Sequence, residues 1–504
     1  MGTVESLTLF LPELVLSGAV LAVILLDIAI PGRDRGGSIV PGVASLVAAV
    51  AALILTTGLP AAGIPGLATG TAPTWLFGRM LVLDGFSLFF KVLLGLSLVA
   101  VVWMSLHSRE VRGRPNEGEY YTLLVSSGLG MFLMAGAANL LMAYLALEFV
   151  SLTSYVLTGF LRHNRRSGEA ALKYLIYGGV ASGAMIYGMS WIFGLTGAMD
   201  YAGIARGVGT LDPASRPALF LALVLVLTGF GYKISMVPFH MWAPDVYTGA
   251  PIPVTAFLAV GSKAAGFAML LRFFHFGVAP GEAAAALGRL PLVELGSLLC
   301  VATMTLGNLA ALSQTNLKRL LAYSSIAHAG YALLGFVVFA AAGVQAVLFY
   351  LAVYYTMNLG AFWVVMLVAN ATGREDIDGY RGLAWRGGAL AAVALAVFLF
   401  SLAGLPPLAG FLGKFYVFAA GVEGRLYALV VIGLLNSVVS LYYYARIVKV
   451  MFLDRPEPTD PPMHFRLVGD LGVVGVLAVA NLVLILRFDW LLDLVQTAGR
   501  VFMG

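Results

Sequence analysis

Long apolar runs follow one another along almost the whole chain, with only short polar segments between them. A helix needs about 20 apolar residues to cross the bilayer core, and backbone exposed to lipid must satisfy its own hydrogen bonds. The runs therefore predict an all-α membrane protein with fourteen transmembrane helices. We place these helices at residues 7–30, 38–58, 81–106, 119–137, 139–161, 168–196, 215–247, 251–276, 286–309, 317–341, 343–371, 385–422, 424–453 and 468–490.

The composition excludes a soluble protein and several classes of site. Hydrophobic residues make up 60% of the chain and charged residues 11%, whereas soluble domains carry about 25% charged residues. A net charge of +5 spread over 504 residues does not indicate nucleic-acid binding. The one cysteine, Cys300, lies in an apolar run, which excludes a disulfide and a thiolate metal or iron–sulfur site. The sequence has no GxGxxG, P-loop, HExxH or CxxC motif, so we expect this chain to bind no cofactor and no metal.

The distribution of positive charge predicts the orientation. Seventeen Lys and Arg residues, including Arg33, Arg35 and Lys318, fall in loops on one side, against eight on the side of the termini, Arg272 and Arg289 among them. Positively charged loops stay in the cytoplasm. We therefore expect a multi-pass protein of the bacterial cell inner membrane with both termini in the periplasm.

Two of the predicted spans are too long for one straight helix. Residues 215–247 would extend about 50 Å, against a hydrocarbon core of about 30 Å. Pro238 interrupts this span, and Pro406 and Pro407 interrupt the span at 385–422. Broken helices occur where a membrane protein lines a polar cavity, often as a pair from an internal repeat. We therefore predict two inverted five-helix units, at 116–280 and 281–455, between an N-terminal part at 1–115 and a C-terminal part at 456–504.

Six ionisable residues fall inside the predicted spans. A charged side chain at the bilayer centre costs at least about 2.5–3.5 kcal/mol, so it must pair, reach the interface or line a hydrated path. Lys263 fits best as a member of an internal polar chain. Glu148 and Lys233 could instead form a structural ion pair, and Lys414 could cap a helix. The six residues are Lys91, Glu148, Lys173, Lys233, Lys263 and Lys414.

Other polar residues at membrane depth allow two interpretations each. Lys173 lies about five residues from a predicted helix end, so its ammonium could reach the interface or act inside. Lys91 has Asp84 two turns away, too far for direct contact, and we favour a structural role for it. His240 and His328 could be proton relays or satisfied core residues. The tyrosines at 442–444 are typical of an interfacial belt or a core.

Two segments resemble a known family. KISMVPFHMWAPDVYTGAPIPVTAFLAVGSK (233–263) resembles the signature of the antiporter-like membrane subunits of proton-pumping NADH:quinone oxidoreductase (complex I), related hydrogenases and multisubunit cation/proton antiporters. Within that family, two segments are similar to the subunit N (subunit 2) group: GLPPLAGFLGKFYVF (404–418) and APDVYTGAP (243–251). The sister subunits M and L usually show GLPGTGNFIGEF-like or GFFSKD-like segments and an LPDA form instead. The resemblance covers about residues 80–455.

The resemblance implies a proton-transfer role for specific residues of this chain. Glu148 matches the family's fifth-helix acid and Lys233 the lysine of the broken seventh helix, which modulate each other. Lys263 matches the connecting lysine of the eighth helix, and Lys414 the exit-side proton carrier of the broken twelfth helix. Lys173 matches a sixth-helix lysine of secondary importance, and His240 and His328 match polar members of the central axis.

The resemblance also implies the setting of this chain. It predicts a proton-translocating subunit that works while quinone is reduced elsewhere in the complex, where NADH, FMN, iron–sulfur clusters and quinone would bind. The expected partners are the sister subunit M, the small subunits J and K, and the lipid bilayer. The alternative is a subunit of a multisubunit cation/proton antiporter or of a membrane-bound hydrogenase, and a solute transporter with broken helices is a weaker one.

Overall fold

The computed structural model describes residues 2–29, 38–59, 73–278, 290–458, 460–466 and 471–502. Its regular structure in these ranges is helical except for one antiparallel hairpin, β1 (Thr74–Leu76) and β2 (Leu81–Leu83). The predicted all-α class is thereby confirmed. The helices are α1 (Thr3–Leu9), α2 (Leu11–Ala29), α3 (Ile39–Gly58), α4 (Gly85–His107), α5 (Glu117–Gly136), α6 (Leu140–Thr158), α7 (Arg165–Thr196), α8 (Tyr201–Gly209), α9 (Arg216–Ile234), α10 (Trp242–Gly249), α11 (Ile252–Val278), α12 (Leu292–Leu312), α13 (Leu317–Val337), α14 (Ala341–Thr372), α15 (Ala389–Ala403), α16 (Ala409–Glu423), α17 (Tyr427–Phe452), α18 (Gly472–Leu486) and α19 (Phe488–Gly499).

In the described part of the chain, fewer helices than the fourteen predicted are long and apolar enough on their own to cross a membrane. Among the described residues, eleven helices are long and apolar enough, or twelve when α18 and α19, bent by 82°, count as one span. The predicted span 119–137 forms α5, whose first turn carries Glu117 and Glu119 and which packs between α2, α4 and α6. The predicted span 385–422 forms two helices of 15 residues each. A polar first turn and a central break explain why neither passes as an apolar span.

Both predicted helix breaks lie at the prolines. Helix α9 ends at Ile234 and α10 begins at Trp242, with Pro238 in the segment between them. Helix α15 ends at Ala403 and α16 begins at Ala409, with Pro406 and Pro407 between them. Each break therefore leaves the carbonyl groups of one half-helix end without helical partners.

Asparagine and aspartate side chains fix the start of several helices. Asn139 accepts a hydrogen bond from the Leu141 N–H at 2.9 Å at the start of α6, and Asn316 caps α13 in the same way. Asp84 caps α4 through the Ser87 N–H. These caps satisfy N–H groups that have no partner inside the helix.

Helices α11, α13 and α14 form the centre of the bundle. Every residue in the most apolar stretch of α11 is buried inside the protein, and so are 94% of the residues in the corresponding stretches of α13 and α14. The corresponding share is only 28% for α2 and 33% for α3 and α12. The central helices carry Lys263 and His328, so the functional candidates lie where lipid is excluded.

Some sequence predictions concern residues outside the described ranges. Arg33, Arg35 and Arg289, which were counted for the topology, lie there, and so do the proposed unit boundary at 280/281 and parts of the predicted spans at 7–30, 286–309 and 468–490. The division into two five-helix units stays a prediction.

Candidate functional site

Lys263 lies in the centre of the bundle and is held by α13. Its Nζ donates hydrogen bonds to the Ser325 carbonyl at 2.8 Å and to Ser325 Oγ at 2.5 Å. The Tyr354 hydroxyl of α14 donates to the same Ser325 Oγ at 2.9 Å, and the Asn358 side chain donates to the Tyr354 hydroxyl. The lysine is only 3% exposed. Its ammonium therefore starts a chain of hydroxyl groups that runs between three helices.

His328 lies one turn further along α13 than Ser325. Its Nδ1 is 2.5 Å from the Tyr350 hydroxyl, and its Nε2 is 3.2 Å from the Tyr444 hydroxyl. The Tyr444 hydroxyl in turn is hydrogen-bonded to Ser324 Oγ. The charges of both Lys263 and Lys414 act on His328. An imidazole with a hydroxyl partner on each ring nitrogen can accept a proton on one side and release one on the other.

Lys414 lies in the second turn of α16, just after the second break. Its Nζ donates to the Ala403 carbonyl at 2.9 Å, the last residue of α15, and to Ser437 Oγ at 2.8 Å. The same atom lies 4.7 Å from the centre of the Tyr331 ring. The break thus supplies a free carbonyl for the lysine, and a tyrosine ring stabilises its positive charge.

Lys233 and Glu148 lie near each other on α9 and α6. Lys233 Nζ donates to Ser151 Oγ at 3.3 Å, one turn from Glu148, and the charge of Glu148 acts on Lys233. Glu148 Oε1 is buried and has no hydrogen-bond partner. The two side chains therefore interact through their charges without a direct hydrogen bond. The stem of Lys233 lies against α11, because a Cβ on Gly266 would be 3.2 Å from Lys233 Cγ.

Among the described residues, no hydrogen bond joins His240 or Lys173 to the polar groups around Lys263, His328 and Lys414. His240 is in the segment between α9 and α10, and its Nδ1 is buried without a hydrogen-bond partner. Lys173 Nζ forms ion pairs of 2.7 Å with both Glu169 and Asp245, and its side chain is 39% exposed. Asp245 also pairs with Arg319 at 2.6 Å. The structure therefore places Lys173 in a cluster of charges at the edge of the bundle.

Two buried ion pairs hold the N-terminal helices to the rest of the bundle. Lys91 Nζ is 2.5 Å from Glu13 Oε1, and both side chains are at most 4% exposed. Asp84, two turns from Lys91, is instead bound by two nitrogens of Arg272 at 2.8 and 2.9 Å. Arg272, which the charge count placed on the side of the termini, is a buried residue of α11. The sequence analysis excluded direct contact between Lys91 and Asp84 but did not identify Glu13 as the partner of Lys91.

Several residues of the site were missed in the sequence. Ser325 and Tyr354 connect Lys263 to α14, Tyr350 and Tyr444 flank His328, and Ser437 binds Lys414. Tyr443 and Tyr444 are fully buried, while Tyr442 is exposed. The only available signal was the polar sequence SSIAHAGY around His328. A single serine or tyrosine in an apolar helix does not indicate which residue it will bind.

Taken together, the polar groups form a row through the middle of the bundle. Lys263, His328 and Lys414 each have a serine or tyrosine hydroxyl as a hydrogen-bond partner, and the charges of both lysines act on His328. Hydroxyl groups can pass protons along hydrogen bonds. Among the described residues, no group of three His, Cys, Asp or Glu side chains could hold a metal ion. The arrangement is suited to moving protons.

The sequence matches one protein family over most of its bundle. The family described as NADH:quinone oxidoreductase/Mrp antiporter, transmembrane, matches residues 137–440. This range begins just before α6 and ends within α17. It contains Glu148, Lys233, Lys263, His328 and Lys414.

Individual proteins agree with this match. NADH-quinone oxidoreductase subunit N 2 of Sorangium cellulosum is 47% identical and covers 96% of this chain and 95% of its own length. A chain of respiratory complex I from Thermus thermophilus is 33% identical, covers 95% of this chain and 98% of its own, and has a TM-score of 0.77. A chain of the Mrp complex from Dietzia is 22% identical, with full coverage of both chains and a TM-score of 0.83, and this likeness shows the fold alone. The chain therefore belongs to the family of antiporter-like membrane subunits, in the subunit N group of NADH:quinone oxidoreductase.

Proposed function

We propose that Glu148, Lys233, Lys263 and Lys414 transfer protons across the membrane while the complex reduces quinone, with His328 between the last two. Lys173 and His240 would have secondary roles at the edge of the path. The observation that carries this proposal is the position of His328, which lies within reach of the charges of both Lys263 and Lys414 and has a hydroxyl partner on each nitrogen. A purely structural core would have no need for two lysines in this position, given their cost in a membrane.

The rest of the assignment follows from the family. This chain binds no cofactor of its own in our proposal, and NADH, FMN, iron–sulfur clusters and quinone bind other subunits. Its partners are the sister subunit M and the small subunits J and K. Both termini lie in the periplasm, so a reporter fused after Gly504 should read as periplasmic and one inserted within 372–384 as cytoplasmic.

Replacing Lys263 with methionine tests the function directly. The change keeps the volume of the side chain and removes its proton site. In the assembled complex reconstituted in vesicles, Lys263→Met should lower quinone-coupled proton pumping by about tenfold or more, as expected for loss of a proton-transfer group. Wild-type pumping by a verified, assembled variant would contradict the proposal. Sodium exchange that persists without quinone reduction would favour the antiporter alternative.

A further inference from the structure

A cavity opens at the end of the bundle that we expect to face the cytoplasm. It has a volume of about 480 Å³ and lies where the start of α7, the end of α10, the start of α13 and the loop after α14 meet. The exposed residues Asn164, Arg166 and Arg374 line its outer part. Glu110, Lys318 and Glu375 also line it. Water therefore has access to a site with two carboxylates and a buried ammonium.

Glu110 and Lys318 are fixed on the junction between α10 and α11. Glu110 Oε2 accepts a hydrogen bond of 2.7 Å from the Ile252 N–H, at the first residue of α11. Lys318 Nζ donates to the Ala250 carbonyl and to Glu375 Oε1, each at 2.9 Å, and its side chain is 1% exposed. The counting of Lys318 as a loop residue was therefore wrong, because it is the second residue of α13 and buried. The wall of the cavity is therefore fixed to α11, which carries Lys263, and to α13, which binds it.

The surroundings of Glu110 shift its pKa upward. Burial raises the pKa of Glu110 above its ordinary value, and Glu375 adds to the rise, while the positive charges of Lys318 and Arg114 oppose it. Arg109, Arg166, Arg374 and Asp376 also line the cavity. A carboxyl group with a raised pKa can take up and release protons nearer to neutral pH than an exposed one.

Helices α10 and α13 both run from the cavity to the hydroxyl groups beside Lys263. Lys318 and Ser325 are seven residues apart on one face of α13, which is about 10 Å at 1.5 Å per residue. The Tyr247 hydroxyl of α10 lies 3.5 Å from Ser325 Oγ, and Ser325 Oγ accepts a hydrogen bond from Lys263. Tyr247 itself is only three residues before Ala250, whose carbonyl binds Lys318. Each of the two helices therefore carries one group at the cavity, Ala250 or Lys318, and one hydroxyl group near Lys263, that of Tyr247 or Ser325.

We propose that Glu110 collects protons from the cytoplasmic water for the path that begins at Lys263. The inference rests on the proposed function of Lys263. Glu110 takes a proton from water in the cavity and releases it toward the Tyr247 and Ser325 hydroxyls when Lys263 is neutral. The carboxylate left behind is then protonated again from the water. Glu110 acts through these groups and does not touch Lys263, so its effect must be separated from a structural role at the α10–α11 junction.

The chain offers a matched control in Glu117. Its carboxylate, like that of Glu110, accepts a hydrogen bond from a backbone N–H of the same region, that of Gly113 at 2.9 Å. Glu117 does not line the cavity. In Glu110→Gln and Glu117→Gln the amide oxygen can keep the backbone hydrogen bond, while the titratable proton is lost.

The experiment measures quinone-coupled proton pumping by the assembled complex in vesicles at about pH 8 and about pH 6. At the higher pH, Glu110→Gln should pump about tenfold more slowly than wild type, because protons are scarce and the collecting group is absent. At the lower pH the difference should largely disappear, because water then supplies protons directly. Glu110→Asp should follow the wild-type pH profile, and Glu117→Gln should pump like wild type at both pH values.

Two outcomes would overturn the inference. One is wild-type pumping by Glu110→Gln at the higher pH. The other is a loss of equal size at both pH values in Glu110→Gln and Glu110→Asp, which would indicate a structural role. Lys263→Met is measured in the same preparations. If it fails to pump while Glu110→Gln pumps normally, only the role of Glu110 is wrong, and if both pump normally the proposed function itself is wrong.

Discussion

Each of the two broken helices carries one lysine, but the two lysines are held in different ways. Lys233 lies in the last turn before the first break and has one side-chain hydrogen bond, of 3.3 Å, to Ser151 Oγ. Lys414 lies after the second break and donates to Ala403 and to Ser437 at 2.9 and 2.8 Å. An ammonium group has three donors. Lys414 therefore uses two of its three donors in direct hydrogen bonds. Lys233 uses one and is otherwise balanced by the charge of Glu148, which it does not contact.

This difference indicates separate roles for the two breaks. The charge of Lys233 depends on Glu148, which acts on it from the neighbouring helix α6. The charge of Lys414 is stabilised by the carbonyl that its own break sets free and by the ring of Tyr331. We infer that the first break responds to a change in charge beside it. Lys414, at the second break, releases its proton only when its local hydrogen bonds change.

The largest effect is expected at Lys414. Lys414→Met keeps the volume and removes the proton site, so quinone-coupled pumping should fall by about tenfold or more while the complex still assembles. Lys414→Glu keeps a titratable group and should retain more activity than methionine. Proton uptake into vesicles containing the assembled variants measures both. If methionine pumped as well as wild type, or glutamate worse than methionine, Lys414 would be a structural cation.

A somewhat smaller effect is expected at the first break. Lys233→Ala and Glu148→Ala should each slow pumping and turnover by roughly fivefold, since either change leaves one buried charge without its opposite. Lys233→Arg should rescue only part of the activity, because arginine does not release its proton in proteins. NADH oxidation and pumping by the same preparations provide the measurement. Equal activity of wild type and Lys233→Ala would show that the first break has no role in proton transfer.

The sequence predicted the fold class, both breaks and four of the buried lysines, because each rests on a local signal, whereas the buried Lys318 was counted as a loop residue. Apolar runs mark helices, prolines mark breaks, and a lysine in an apolar run stands out. Partners could not be predicted in the same way. Asp84 was considered beside Lys91 on the same helix, yet it pairs with Arg272, 188 residues further along the chain. Such pairings depend on how the helices pack together.

The polar row around His328 shows the same limit. Ser325, Tyr354 and Tyr444 each lie in an apolar segment where a hydroxyl group adds little to the pattern. Only the packing of α13 against α14 and α17 brings the Tyr354 hydroxyl to Ser325 and the Tyr444 hydroxyl to His328. The helix count failed for a related reason, since α5 has a polar first turn that its neighbours cover in the folded bundle.

Two glycines provide a sharper comparison of the breaks. Gly404 has a φ of +88°, and a Cβ there would lie 2.8 Å from Lys414 Cδ. A Cβ at Gly266 would lie 2.9 Å from Ile234 Cγ2 and 3.2 Å from Lys233 Cγ, but within a regular helix, where no positive φ adds strain. Gly404→Ala adds backbone strain of about 1–3 kcal/mol to the clash, so it should lower pumping by about threefold and reduce the yield of assembled complex. Gly266→Ala should have the smaller effect on yield, and the reverse order would contradict this comparison.

The smallest effect is expected at Ser437. Its Oγ accepts a hydrogen bond from Lys414, whereas the hydroxyl of Ser440, one turn away, donates to the Ser437 carbonyl and does not reach the lysine. The bond from Lys414 to the Ala403 carbonyl remains, so we expect the loss at the lower end of about 0.5–1.5 kcal/mol for one hydrogen bond. Ser437→Ala should therefore lower the pumping rate by only about twofold. Ser440→Ala is the matched control and should pump like wild type. Identical pumping by the two variants would show that the second break does not depend on Ser437.

The central claim is that one row of buried groups joins Lys263 to Lys414 through His328. Proton pumping by His328→Gln, compared with His275→Gln in the assembled complex, tests it most directly. His275 is a second histidine in the bundle, with Nε2 buried and without a hydrogen-bond partner, and it packs among phenylalanines away from both lysines. The account predicts a loss of pumping of about tenfold for His328→Gln and wild-type pumping for His275→Gln. Equal pumping by both variants would contradict a path through His328.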